Sequence, residues 1–438
     1  MLTQPAPTKK SMTEQSSSAS IHRFEWLNKI GIPPALFFGF LGVVIFMMGD
    51  GLESAWLQNY FVNHGLSHTQ AATIFAGYGL TVAIGSWFSG VLTEAFGPIR
   101  TMLAGTILFV IGTCLFVPSL AAGTNYHLLL LTYPLRGFAY PLFAYSFLVV
   151  IAQATPKERL GSAVGWFWFC FTGGFFVLGA YYSDVALKDL HLSYIELLWT
   201  GLIFVSTGAT VVLLNFVWVR RHSPSAERPA KHAALQTLQK GLTIAFENYK
   251  IGFGGIVRII NTIAVYGFIA FMPNFMQSTV GFSQSDWLSI WGALFSTNII
   301  ANLVCGMVAD RLGWRQTIMW IGGFLSALCV LGFYYVPLWL GANYYAMLGV
   351  SILFGISLAG FVPLSALMPT LAPEHKGAAL SVLNLGAGLS TFIGTATVSL
   401  FFDSLGIHGI IWIYAILYAV SILLTRFMTL NDHSPRSR

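Results

Sequence analysis

The sequence predicts an all-α membrane protein with twelve transmembrane helices in two related halves of six, and three observations lead there. Only 9% of the 438 residues are charged and 56% are hydrophobic, where a soluble domain has roughly a quarter charged. Most of the exterior must therefore face something other than water, which excludes soluble enzymes and nucleic-acid binders. The apolar residues fall in continuous runs suited to spans of about 20 residues, whereas barrel strands would alternate over about 10. Glycines also repeat across the middle of the chain: Gly90 and Gly306, Gly97 and Gly313, Gly161 and Gly377 are each 216 positions apart, which points to a duplicated half.

Taken in order, the runs lie at about 34–60, 69–93, 99–119, 127–153, 160–183 and 193–219, then 251–278, 287–309, 315–337, 343–370, 377–402 and 408–427. Polar or Gly/Pro-rich breaks separate them. The first contains MGDGLES, where two glycines bracket acidic residues and a local distortion of the helix is tolerated. The longest break divides six spans from six, so the chain reads as a tail (1–33), a first half (34–219), a central loop (220–250), a second half (251–427) and a tail (428–438). The stretch AALQTLQKGLTIAF in the central loop suits either an amphipathic helix on the membrane surface or a solvated linker. Residues 1–33 lack the short apolar core and small-residue site of a cleaved signal peptide, so the first span is expected in the mature protein.

With both termini cytoplasmic, 19 basic residues fall on that side, among them Lys9, Lys10, Arg23, Lys29, Arg228, Lys231, Arg436 and Arg438, against Lys188 alone outside. That bias sets a multi-pass topology in the cell membrane and accounts for the net charge of +6 without an anionic ligand. The cysteines Cys114, Cys170, Cys305 and Cys329 sit inside apolar runs with no pairing or metal spacing and read as small hydrophobes. All ten histidines lie in loops, at span ends or on tails, so neither a metal site, a cofactor nor an embedded enzyme is expected.

Four ionisable residues remain at membrane depth: Asp50, Glu53, Arg136 and Arg258. Each costs a few kcal/mol to place there and is a functional candidate for that reason. Asp50 and Glu53 are three apart on one helical face, and at about 1.5 Å per residue both share the depth of Arg136. Two acids facing one base leave one carboxylate to take up and release a proton. Glu53 is assigned that proton and Asp50 the pairing with Arg136 or with a substrate hydroxyl; the reverse assignment stays open, as does an Arg136 ion pair that merely joins helices. Arg258, Asn261 and Thr262 form a polar stripe continued by Tyr266, and Asn298, Ser357 and Asn384 are placed opposite, as ligand contacts or as interhelical glue. Within-span aromatics, Trp56, Tyr140, Tyr145, Trp166, Trp168 and Trp291, include candidates for stacking on a hydroxylated ligand. The buried charges sum to zero, which suits a neutral polyhydroxylated substrate better than an anion.

The segments GVLTEAFGPIR and GMVADRLGWRQ each follow an even-numbered span. They resemble the loop signature of the major facilitator superfamily, Gly-x-x-x-Asp-Arg-x-Gly with basic residues beyond. Gly306, Asp310, Arg311, Gly313 and Arg315 match it; around Gly90, Gly97 and Arg100, Glu94 replaces the acid and Ala95 stands where the arginine would be. Each acid is expected to face a basic residue across a glycine turn and latch neighbouring helices as a cytoplasmic gate, the first latch being the weaker. MGDGLES, LRGFAYPLFAYSF, VGWFWF, VRIINT and KGAALSVLNLGAGLS further resemble the polyol permease group, proton-linked importers of ribitol and arabinitol. The resemblance covers residue 34 to about 427. It implies two pseudo-symmetric six-helix bundles around a central cavity, alternating access, proton symport of a pentitol, and substrate contacts at Asp50, Glu53, Arg136, Tyr140, Arg258, Asn261 and Asn384. Protons, a small polyol and membrane lipid are the expected partners, with the chain acting as a monomer. An exporter of amphipathic compounds, an organic-anion transporter clamping substrate with Arg258, and a receptor that binds without translocating are the alternatives.

Overall fold

A computed structural model describes residues 27, 30–54, 56–66, 68–222, 240–241 and 243–430. The basic residues of both tails and most of the central loop, Arg228 and Lys231 included, lie outside them. Among the described residues, twelve helices are long and apolar enough to span a membrane. They are α1 (Pro34–Gly51), α2 (Thr73–Phe96), α3 (Pro98–Ala121), α4 (Tyr126–Ala154), α5 (Lys157–Lys188), α6 (Tyr194–Val217), α7 (Tyr249–Ile269), α8 (Ser289–Leu312), α9 (Trp314–Leu340), α10 (Tyr344–Leu371), α11 (Lys376–Phe402) and α12 (Ser404–Phe427). Leu131, Phe392 and Leu400 are each more than 70% exposed on the outside of the bundle, as a lipid-facing surface requires.

Three local breaks shape the interior. α1 ends at Gly51, a turn carries Leu52–Ser54, and a short helix Leu57–Asn63 follows. The first apolar run is thus two pieces, and Glu53 sits on the joint. Gly51 is required there: a Cβ would come within 2.3 Å of the Phe175 carbonyl oxygen. In α4 the chain tightens over Tyr133–Phe138 and widens over Pro141–Tyr145, because Pro134 and Pro141 withhold their amides from the helical ladder. Arg136 lies on the tightened turn. α11 and α12 meet at Gly406, whose φ of 61° turns the corner.

Within the first half the core stacks Phe46 of α1 on Phe143 of α4 at 4.0 Å. In the second half Phe268 of α7 gathers Phe333 of α9, Phe354 of α10 and Tyr414 of α12. The halves meet chiefly along two seams, α2 against α11 and α5 against α8. Lys157, Arg311, Arg315, Lys376 and Arg426 fall on the turns at one end of the bundle, its basic face. Of the central loop, residues 243–247 are helical with Ile244 buried and Phe246 exposed, and the Trp87 indole donates to the Gly241 carbonyl at 3.4 Å.

Candidate functional site: a central cluster and a paired gate

Arg136 is buried to 1% exposure and pairs with Glu53, Nη1 to Oε2, at 2.6 Å. Phe109, Phe116 and Tyr133 surround its guanidinium, ring centroids at 4.6, 5.4 and 5.7 Å, and Gly112 leaves the space its stem occupies. The pairing expected for Asp50 therefore falls to Glu53. The break after Gly51 carries Glu53 onto a turn, off the regular face it would share with Asp50. Asp50 is 3% exposed, and its Oδ2 has no hydrogen-bond partner among the described residues. Both charges of the pair act on it. An ionisable side chain at this depth without a partner of its own is costly, which marks Asp50 as a functional candidate.

Arg258 of α7 lies over the Trp168 ring of α5 at 5.0 Å and makes no ion pair or hydrogen bond among the described residues. Tyr140, Tyr145 and Tyr266 are within electrostatic reach of it, and Tyr140 is in turn within reach of Asp50. Tyrosines of α4 thus connect the acid of the first half to the base of the second. Tyr145 and Tyr140 stand edge to face at 5.8 Å, and the Trp168 indole donates to Ser365 of α10 at 3.2 Å. Asn261, one turn from Arg258, is buried with its Oδ1 unpartnered among the described residues.

Other expected contacts are occupied elsewhere. Thr262 shares a hydrogen bond with Ser390 at 2.8 Å, Asn298 donates to the Gly355 carbonyl at 3.0 Å, and Asn384 donates to Ser89 across the halves at 3.2 Å. Ser357 accepts from Ser326. Trp166 donates to the Ile30 carbonyl at 2.8 Å and stays at the basic end. Two residues subtend about 200° on a helix, so Trp166 and Trp168 face opposite ways; the second is the one beside Arg258. Sequence reasoning also passed over Ser365, Asn302, which donates to Asn298 at 3.3 Å, and Tyr78 and Tyr133, which lie within reach of the acidic pair.

On the basic face the glycine-turn acids do not latch to neighbouring arginines. Asp310 of α8 accepts from the Gly161 N–H at 3.0 Å, the Ser162 N–H and hydroxyl at 2.7 Å each, and the Trp314 indole at 3.0 Å. Glu94 of α2 accepts from the Gly377 N–H. Each acid thus caps the start of a helix in the opposite half, where unsatisfied amides and the positive end of the dipole receive it. Arg100 and Arg311 point to the exterior, and Arg315 donates to the carbonyls of Thr425 and Arg426. Gly97 and Gly313 take φ of 88° and 100° at the two turns. The seams close backbone on backbone: a Cβ on Gly90 would meet the Gly377 oxygen at 2.0 Å, and one on Gly306 the Gly161 oxygen at 2.5 Å. Lys376 reaches the Ala152 carbonyl at 3.1 Å, adding a third tie between halves. Glu94 receives fewer bonds than Asp310.

Two six-helix halves meeting at paired, acid-capped glycine seams on one face, with buried charges distributed between them, define a multi-pass secondary transporter. The chain belongs to the Major Facilitator Superfamily, whose sequence profile matches residues 39–283 and 254–438. It is 46% identical over 408 residues to the alpha-ketoglutarate permease of Bacillus subtilis, covering 93% of this chain and 92% of that one. It is 37% identical over 411 residues to the ribitol transporter of Klebsiella pneumoniae, covering 92% and 93%; the likeness to polyol permeases thus extends along almost the whole chain. A crystal structure of a bacterial homologue of the iron transporter ferroportin shares the fold, with a TM-score of 0.72 at 14% identity over 90% of this chain and 99% of that one. Members of this superfamily are transporters and not enzymes.

Proposed function

We propose that this protein is a proton-coupled importer of a small sugar alcohol, a pentitol such as ribitol or arabinitol, working by alternating access with the basic face cytoplasmic. The observation that carries the proposal is the pair of groups that form no ion pair among the described residues, Asp50 in the first half and Arg258 in the second, beside the Glu53–Arg136 ion pair. Together they offer a charged donor and a carboxyl acceptor, both of which a neutral polyhydroxylated solute can meet. Arg258 donates to substrate hydroxyls, Asn261 Oδ1 and Asp50 accept from them, and Trp168 and Tyr145 offer flat faces to the C–H surface. Asp50 takes the proton. Losing it sets two carboxylates against one guanidinium, which favours reprotonation or a bound hydroxyl before the site is buried again.

With the basic face closed by Glu94 and Asp310, substrate enters from the opposite side. Opening requires both caps to leave their helix termini and the glycine seams to part, which exposes the cluster to the basic side. Lys157, Arg159, Arg311, Arg315, Lys376 and Arg426 on that face against Lys188 on the other support the cytoplasmic assignment.

Organic-anion transport is favoured by one specific observation: the Arg258 guanidinium has no carboxylate partner among the described residues, and a substrate carboxylate would supply one. The 46% identical relative named as an alpha-ketoglutarate permease points the same way. Uptake of labelled ribitol, D-arabinitol and 2-oxoglutarate into proteoliposomes under an imposed pH gradient separates the two. Gradient-dependent accumulation of a pentitol that 2-oxoglutarate does not compete away supports the proposal. Accumulation of 2-oxoglutarate alone transfers it to the anion, and counterflow of neither substrate removes both.

A further inference from the structure

Apart from the central cluster, the basic face holds a cavity of about 1000 Å³ beside the Asp310 cap. Lys157, Lys250, Arg315 and Arg426 line it, so that it touches α5 of the first half and α7, α9 and α12 of the second. None of these four cations forms an ion pair among the described residues. Arg315 is held instead by the carbonyls of Thr425 and Arg426, and Lys250 by that of Thr429 at 2.6 Å. Glu158, the carboxylate on the lining, is itself engaged. Arg315 and Arg426 lie within electrostatic reach of each other, and like charges held together in a concave site call for an anion between them. The other wall is apolar and opens toward lipid, with Trp320 60% and Leu423 59% exposed.

We infer that this cavity binds the phosphate headgroup of an anionic phospholipid, its acyl chains lying along the wall formed by Trp320 and Leu423. A cationic recess beside an apolar slot at the end of membrane helices matches both parts of such a lipid, whereas a free phosphate uses only the first. The test is a titration of the purified full chain in neutral detergent with cardiolipin, phosphatidylglycerol, phosphatidylcholine or inorganic phosphate, followed by native mass spectrometry and by the midpoint of thermal unfolding. Cardiolipin or phosphatidylglycerol should form retained adducts and raise the midpoint, while phosphatidylcholine and inorganic phosphate should do neither. The double variant Arg315→Gln/Arg426→Gln should bind cardiolipin about thirtyfold more weakly, the equivalent of about 2 kcal/mol at about 1 kcal/mol per basic residue. Arg315→Lys/Arg426→Lys should retain most of the binding. Equal effects of phosphatidylcholine, an equal effect of inorganic phosphate alone, or unchanged cardiolipin binding in the glutamine variant would each overturn the assignment. Should that variant fail to fold, Lys157→Gln/Lys250→Gln gives the same comparison without disturbing the carbonyl bonds of Arg315.

Discussion

Replacing Gly90 by alanine should push the transporter out of the conformation described here and toward one open on the basic face. The added Cβ would stand 2.0 Å from the Gly377 carbonyl oxygen and 2.5 Å from Ser381 Oγ. The oxygen belongs to backbone and cannot swing aside, so α2 and α11 must separate by about 1 Å or more before ordinary contact is restored. Overpacking of this kind costs about 1–3 kcal/mol. Because the clash exists only where the halves touch, the cost falls on the closed basic face alone, and the equilibrium should shift by about 5- to 150-fold. Spin labels at Lys157 and Glu374, exposed and on opposite halves, report the separation by pulsed electron resonance after the exposed Cys114 is removed. Gly90→Ala should enlarge the long-distance population, and Gly306→Ala, meeting the Gly161 oxygen at 2.5 Å, should do the same through the other seam. A distance distribution identical to that of the parent protein would refute the view that these glycine seams define the closed state.

Further expectations follow from the buried charges and the caps. Glu53→Gln should lower stability by about 3–5 kcal/mol, read as a lower thermal midpoint, because it strands Arg136 in the core. Asp50→Asn should fold with a midpoint close to the parent's, since it removes no formed ion pair, yet lose gradient-driven accumulation while keeping counterflow exchange. Arg258→Gln should weaken pentitol binding about tenfold or more, the loss of a charged hydrogen-bond donor being worth about 1.5–3 kcal/mol, with little change in the thermal midpoint. Asp310→Asn should open the basic face, raising the reactivity of a cysteine placed at Ser162 toward a membrane-impermeant thiol reagent applied to that face.

Much of the fold could be read from hydropathy, and what escaped it was geometry between distant segments. The run 99–119 and the helix Pro98–Ala121 nearly coincide, since lipid-facing length is set by local composition. The apolar run drawn to residue 60 passes over the break after Gly51, although the short helix Leu57–Asn63 (LQNYFVN) is much more polar than Phe37–Gly51; the glycines of MGDGLES were the better signal. Depth counting brought Asp50, Glu53 and Arg136 together but could not choose the pair, a choice made by the turn that carries Glu53. The offset of 216 positions flagged Gly161 and Gly377 without revealing that each faces a glycine of the opposite half. The acids Glu94 and Asp310 were found by motif, yet their partners are backbone amides far along the chain, which no side-chain pattern encodes. Trp168, where Trp166 was expected, follows from helical phase once the direction of α5 is known.

The central claim is that Asp50 links proton movement to the passage of a neutral polyol. The most direct measurement is the external pH of a weakly buffered suspension of proteoliposomes, recorded as ribitol or D-arabinitol is added with no gradient imposed. Parent protein should produce a substrate-dependent alkalinisation that a protonophore abolishes and that Asp50→Asn lacks. Counterflow of the polyol with no accompanying pH change, or an undiminished change in Asp50→Asn, would contradict the account.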